Sequence, residues 1–152
     1  MAVFYRIVGK HRAATAMDGE AARKMGGRWN PQGVPAAYLT ESRALAALEI
    51  LVHAGWDAVR LPWVVITVDV PGEITDSATP RNLPAGWDDL ESPSPSRNFG
   101  AGWLERSASA AILLPSAIIP EERILMVNVR HPDFVKIKIS QPQPFHFDRR
   151  SG

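Results

Sequence analysis

The sequence predicts an α+β fold, a single domain in which a curved mixed or antiparallel sheet is flanked by helices. Three observations lead there. About six short segments carry the alternation, or the β-branched and aromatic content, of strands. One segment has a strong helical pattern, and the order of the two kinds is not the regular alternation of a doubly wound sheet. A length of 152 residues with 45% hydrophobic side chains suits one core and is short for two, so the expected unit spans residues 1–152.

The first strand is expected at residues 3–8, where a period of two puts Phe4, Arg6 and Val8 on one face. From His11 to Pro35, glycines and prolines interrupt every pattern and leave a loop with a short helix around residues 19–25. A second strand follows at 36–39. Thr40 or Ser42 can then cap a helix over 43–53 that stops at Gly55, the strongest helical signal in the chain. Ile66, Val68 and Val70 alternate with Thr67 and Asp69 in a strand over Trp63–Val70, ended by Pro71 and Gly72. Four prolines among polar residues make 79–96 a surface connection with at most one helical turn at 87–90. A brief helix is expected at 98–107, a buried strand at 111–114 stopped by Pro115, and another strand at 125–128. Val135, Ile137 and Ile139, separated by Lys136 and Lys138, predict a half-buried strand, and 145–147 a final one.

Composition narrows the chemistry. The chain has no cysteine, which excludes disulfides, thiol nucleophiles and thiolate metal sites. A net charge of +1, with Lys and Arg scattered along the chain, argues against direct nucleic-acid binding, although one or two guanidinium groups suffice for a small anion. Residues 1–10 lack the order of an export signal and no apolar run could span a bilayer, so a cytoplasmic protein without membrane contact is expected.

Several polar residues sit where they could carry a reaction. Projected at about 100° per residue, the helix over 43–53 places Leu45, Leu48, Leu51 and Val52 on its core face and Glu49 on the margin. Glu49 is then either a carboxylate reaching a cleft or an edge residue extending to water. Arg6 charges an otherwise apolar strand and needs an acid or an anionic ligand. Gly26-Gly27-Arg28-Trp29-Asn30-Pro31-Gln32-Gly33 is either an ordinary glycine-rich turn or a loop that brings N–H groups and Arg28 to a phosphate. Ser116, at the end of an apolar run, is a substrate-facing hydroxyl or a cap. A hydrolase built from Ser116, His131 and Asp133 lacks the Gly-x-Ser-x-Gly elbow. Glu49 and His53 have the i, i+4 spacing of metal ligands but no third ligand, so the pair reads as a helix-surface contact and no metal is expected.

In order, Tyr5-Arg6-Ile7, Gly26-Gly27-Arg28-Trp29-Asn30 with Gly33, Ala37-Tyr38-Leu39, the helix around Glu49, Pro115-Ser116-Ala117-Ile118-Ile119-Pro120, and Asn128 with His131-Pro132 resemble the RES domain, a bacterial toxin family named for an arginine, a glutamate and a serine. The resemblance implies a fold like the ADP-ribosyltransferase toxins and NAD+ as substrate. It implies catalytic roles for Glu49, Arg28 and Ser116, and contacts to the dinucleotide from Arg6, Arg28, Tyr38, Ser116 and Asn128. It also implies a cognate Xre-like antitoxin that covers the active site. NAD+ would be degraded by hydrolysis or phosphorolysis of its nicotinamide–ribose bond; in the alternative, the ADP-ribose passes to a host protein acceptor. A non-catalytic partner-binding module is the reading of another class, and polar groups on core-adjacent elements argue against it.

Overall fold

The computed structural model describes residues 2–148, so the expected span of 1–152 runs past the described residues at both ends. Eight strands form one mixed sheet: Ala2–Gly9 (β1), Ala37–Thr40 (β2), Trp63–Val70 (β3), Thr75–Ser77 (β4), Ala111–Pro115 (β5), Arg123–Val127 (β6), Lys138–Ile139 (β7) and Gln143–Phe145 (β8). Their order is β4-β5-β6-β2-β1-β3-β7, with β8 also on β3. Among the described residues only the β4–β5 pair is parallel. The helices are Glu20–Met25 (α1), Arg43–Ala54 (α2) and Ser94–Arg106 (α3). The expected α+β architecture is therefore observed.

Alternation in the strands separates two faces. Phe4, Val8, Leu39, Ile66, Val68, Leu125 and Val127 form a core on one side, closed by Ala16, Met17 and Phe134 from two 3-10 turns and their flanks. On the other side α2 lays Ala46 and Ile50 over Ile7 and Val65, and a second cluster joins Trp29, Leu45, Trp103, Leu114 and Met126. Ser42 caps α2 by accepting the Leu45 N–H at 3.0 Å, and Gly55 closes it with a φ of 78° that favours glycine. The face of α2 toward the sheet differs from the projected one. Small Ala46 and Ala47 let the helix lie close on β1, and Val52 is left 55% exposed.

Four elements depart from the sequence reading. Residues 132–136 form a 3-10 turn, not a strand, because Phe134 and Ile137 donate to the carbonyls of His131 and Phe134, so pairing begins only at Lys138. Helix α3 starts at Ser94, four residues before the expected Asn98, since Pro95 lies in the first turn, where no N–H is required. Polar β4 has no apolar alternation to announce it; Asp76 secures it by accepting from Trp103 Nε1 at 2.9 Å and Ser109 Oγ at 2.8 Å. The last strand ends at Phe145, and Phe147 packs edge-on against Phe145 and Trp63.

The join between β1 and β2 positions the site. Strands β1 and β3 match over eight residue pairs, whereas β1 and β2 match at Tyr5–Thr40 alone. Beyond that pair the ladder is open, and the Arg6 side chain bridges the gap by donating from Nη1 to the Tyr38 carbonyl at 2.8 Å.

Candidate active site

The open join forms part of the lining of a cavity of about 620 Å³, inside the range typical of small-molecule sites. Strand β1 contributes Tyr5 and Arg6, strand β2 Tyr38, helix α2 Glu49 and His53, and the loop after α1 Arg28 and Trp29. These residues are far apart in sequence; the sheet order makes them neighbours.

Among the described residues Arg6 donates one side-chain hydrogen bond, to Tyr38, and its Nε is buried without a partner. Burial lowers its pKa, with Asp18 acting the other way, which is the signature of a cation carrying a desolvation cost that an anion would relieve. Among the described residues the other buried side-chain polar atom without a partner is Trp29 Nε1, also on a residue lining the cavity. Native interiors leave few such groups, and a ligand site is one accepted reason for them.

The loop over 26–30 is fixed from all sides. Asn30 is buried and its Nδ2 donates to the carbonyls of Ala22, Pro31 and Val34 at 2.9, 3.2 and 3.0 Å. Its Oδ1 accepts the Tyr38 hydroxyl at 2.6 Å, and Tyr38 in turn accepts the Trp29 N–H at 3.2 Å. Burial raises the Tyr38 pKa, so the phenol remains a donor at any ordinary pH. A Cβ at Gly27 would fall 2.5 Å from Asn30 Oδ1 and 2.8 Å from the Tyr38 hydroxyl, which restricts that position to glycine. Helix α3 clamps the loop: Ser96 Oγ donates to the Arg28 carbonyl at 2.6 Å, and Arg97 Nε to that of Gly27 at 2.7 Å. A Cβ at Gly100 would overlap the Trp29 carbonyl, so glycine there permits the approach.

Arg28 donates from Nη1 to the carbonyls of Asp89 at 2.7 Å and Trp87 at 3.4 Å. Glu49 is 28% exposed and lines the cavity, with Oε2 3.5 Å from His53 Nε2. Hydrogen bonding to Glu49 is the main cause that raises the His53 pKa.

Arg6, Arg28, Tyr38 and Glu49 are thus brought together. Ser116 and Asn128 are not among the residues lining that cavity. Ser116 is buried, and its hydroxyl accepts the N–H groups of Ile118 and Ile119, both at 3.1 Å, while Ala117 and Ile118 line the cavity wall. Asn128 donates from Nδ2 to Ser107 Oγ at 3.1 Å and accepts the Arg130 N–H at 3.1 Å, tying the end of β6 to the end of α3. In both cases local N–H groups just past a strand end claim the side-chain oxygen. Replacing Ser116 with Ala should lower stability by about 1–2 kcal/mol in urea titrations, since two N–H groups lose their acceptor. An unchanged midpoint would show that those bonds contribute nothing.

Sequence reasoning did not single out Tyr5. Its ring lines the cavity and carries the Arg43 guanidinium 4.4 Å from its centroid. The available signal was its place on β1, on the face opposite Phe4 and Val8. Among the described residues no group of three or more His, Asp or Glu could hold a metal ion, and no helix is long and apolar enough to cross a membrane.

Fold and site together define a small α+β protein with a cation-bearing cleft at a gap in its sheet. The sequence model of the RES domain matches residues 3–148. The chain belongs to the RES domain family. It is 40% identical to the Prs ADP-ribosylating toxin of Sphingobium sp. (strain YBL2), over 97% of this chain and 94% of that one. It is 34% identical to Toxin Res of Yersinia enterocolitica, over 97% and 98% of the two chains. A stretch of 47 residues is 47% identical to the NAD(+) phosphorylase MbcT of Mycobacterium tuberculosis, covering 30% of this chain and 24% of that protein. The fold is shared with a chain in the crystal structure of the M. tuberculosis MbcT–MbcA toxin–antitoxin complex, at a TM-score of 0.80, 23% identity, and coverage of 95% and 84%.

Proposed function

We propose that this chain is the toxin of a toxin–antitoxin pair and degrades NAD+ by cleaving its nicotinamide–ribose bond. The observation that carries the reading is the convergence of Glu49, Arg6 and Arg28 on one cavity, with the Arg6 Nε buried and unpartnered. Membership of the RES family supports it, as do similar proteins, one named for NAD+ phosphorolysis and one for ADP-ribosylation.

The reaction follows from the residues. The bond from ribose C1′ to the pyridinium nitrogen breaks, its electron pair leaves with neutral nicotinamide, and positive charge develops on the ribosyl ring. The Glu49 carboxylate stabilises that charge and orients the ribose hydroxyls. Arg6 and Arg28 bind the pyrophosphate, and Tyr38 supplies an aromatic wall for a base. An oxygen of water or phosphate then bonds to C1′ and releases a proton. Ser116 serves through the wall of Ala117 and Ile118, and Asn128 by fixing the end of β6. The whole span 1–152 acts as one NAD-binding unit in the cytoplasm.

The test is incubation of the purified chain with NAD+, with and without phosphate, and chromatography of the products. Nicotinamide together with ADP-ribose or its 1-phosphate is expected; intact NAD+ would contradict the proposal. A second reading, transfer of ADP-ribose to a host protein, is favoured by the relative that is 40% identical over nearly the whole chain. Labelled NAD+ in lysate separates the two, as a labelled protein band against labelled small products.

Arg28→Ala should raise KM for NAD+ by about tenfold to a hundredfold with a smaller change in kcat, because a ground-state phosphate contact is lost. An unaltered KM would remove Arg28 from the site. An Xre-like antitoxin is the proposed partner, seated over the mouth, where Val52 is 55% and Leu90 72% exposed.

A further inference from the structure

Helix α2 brings a second titratable group to the cavity. One turn after Glu49, His53 holds Nε2 3.5 Å from Glu49 Oε2, and both side chains are part of the lining. The carboxylate is 28% exposed and the imidazole 77%, so the histidine stands at the mouth in contact with solvent. Two charged groups act on His53: Glu49 on its own helix and Arg28 from the loop before β2.

We propose that His53 is a positioning residue for the reaction, whose imidazolium holds and partly neutralises the Glu49 carboxylate and whose deprotonation releases the full negative charge toward the ribosyl ring. The inference rests on the reading of Glu49 as the group that stabilises that ring. A carboxylate lowers the barrier by facing a developing cation, and a second cation bound to the same carboxylate opposes it. The geometry of the pair supplies such a cation, and the proton it loses passes directly to water.

The hydrogen bond to Glu49 raises the His53 pKa above 6.5, while burial and Arg28 act in the other direction. The ion pair is therefore intact below that pKa and is lost as pH rises through it. Turnover should rise across the same step.

The experiment measures kcat and KM for nicotinamide release from about pH 5.5 to about pH 9, the window in which histidine titrates. Wild-type protein should show one upward step in kcat of about two- to fivefold, the size that a solvent-exposed ion pair commands, with KM level. The step should lie above pH 6.5. His53→Gln should be flat at the upper rate, and His53→Lys, which keeps a permanent charge at the spacing that favours pairing with Glu49, flat at the lower rate. A step retained in His53→Gln, or equal plateaus in the two variants, overturns the role of His53 while leaving NAD+ cleavage intact. Wild-type protein that releases no nicotinamide at any pH overturns both.

Discussion

Glu49→Gln should lower kcat for NAD+ cleavage by about a hundredfold to a thousandfold, the usual cost of removing one preorganised group that acts on transition-state charge. The amide keeps the volume and loses the charge, so the fold should be retained. Because the carboxylate acts on charge that exists only as the bond breaks, KM should stay within about twofold. Expression of the variant should no longer arrest growth. A variant with wild-type turnover would remove Glu49 from the chemistry, and one with a raised KM and unchanged kcat would make it a binding residue.

Trp29→Ala carries the largest expected effect on stability. The indole is fully buried, stacked on Trp87 with ring centres 6.0 Å apart at 23° and meeting the edge of Phe99 at 6.0 Å. Removing it leaves a cavity where α3 and the loop meet, at a cost of about 3–5 kcal/mol. Domains of this kind are stable by only about 5–15 kcal/mol, so the melting midpoint should fall by about 6 to 20 °C. Trp29→Phe separates packing from hydrogen bonding. Trp29 Nε1 has no partner to lose, so the smaller ring should cost under about 2 kcal/mol. A loss of under about 1 kcal/mol in Trp29→Ala would mean that the loop is not part of the core. The loop carries Arg28 next to Trp29, so the core that holds the fold also aims a proposed substrate contact.

The strands with apolar alternation and the capped helix were legible because burial imposes a period and chain ends need particular residues. Strand β3 begins and ends where its alternation does, and α2 extends one residue past its expected end, up to Gly55. The pattern at 135–139 misled because an alternation of Val, Lys and Ile suits a strand, whereas hydrogen bonds from the His131-Pro132 turn hold the chain up to Ile137.

In the site, the types of residue were readable and their supports were not. Arg6 stood out as a charge in an apolar strand, and the cavity explains it. The partners of Arg28 are the carbonyls of Trp87 and Asp89, and backbone acceptors leave no trace in side-chain identity. Ser116 has a side chain that suits either catalysis or capping, and only the nearness of the N–H groups of Ile118 and Ile119 reveals its bonds. Asn128 is tied in the same way, by the Ser107 hydroxyl and the Arg130 N–H.

The most direct test is a crystal structure of the Glu49→Gln protein with NAD+. The nicotinamide-bearing ribose should lie within hydrogen-bonding distance of residue 49, with the pyrophosphate against the guanidinium groups of Arg6 and Arg28. Dinucleotide bound with its phosphates away from both arginines, or with residue 49 turned from the sugar into solvent, would contradict the proposed function.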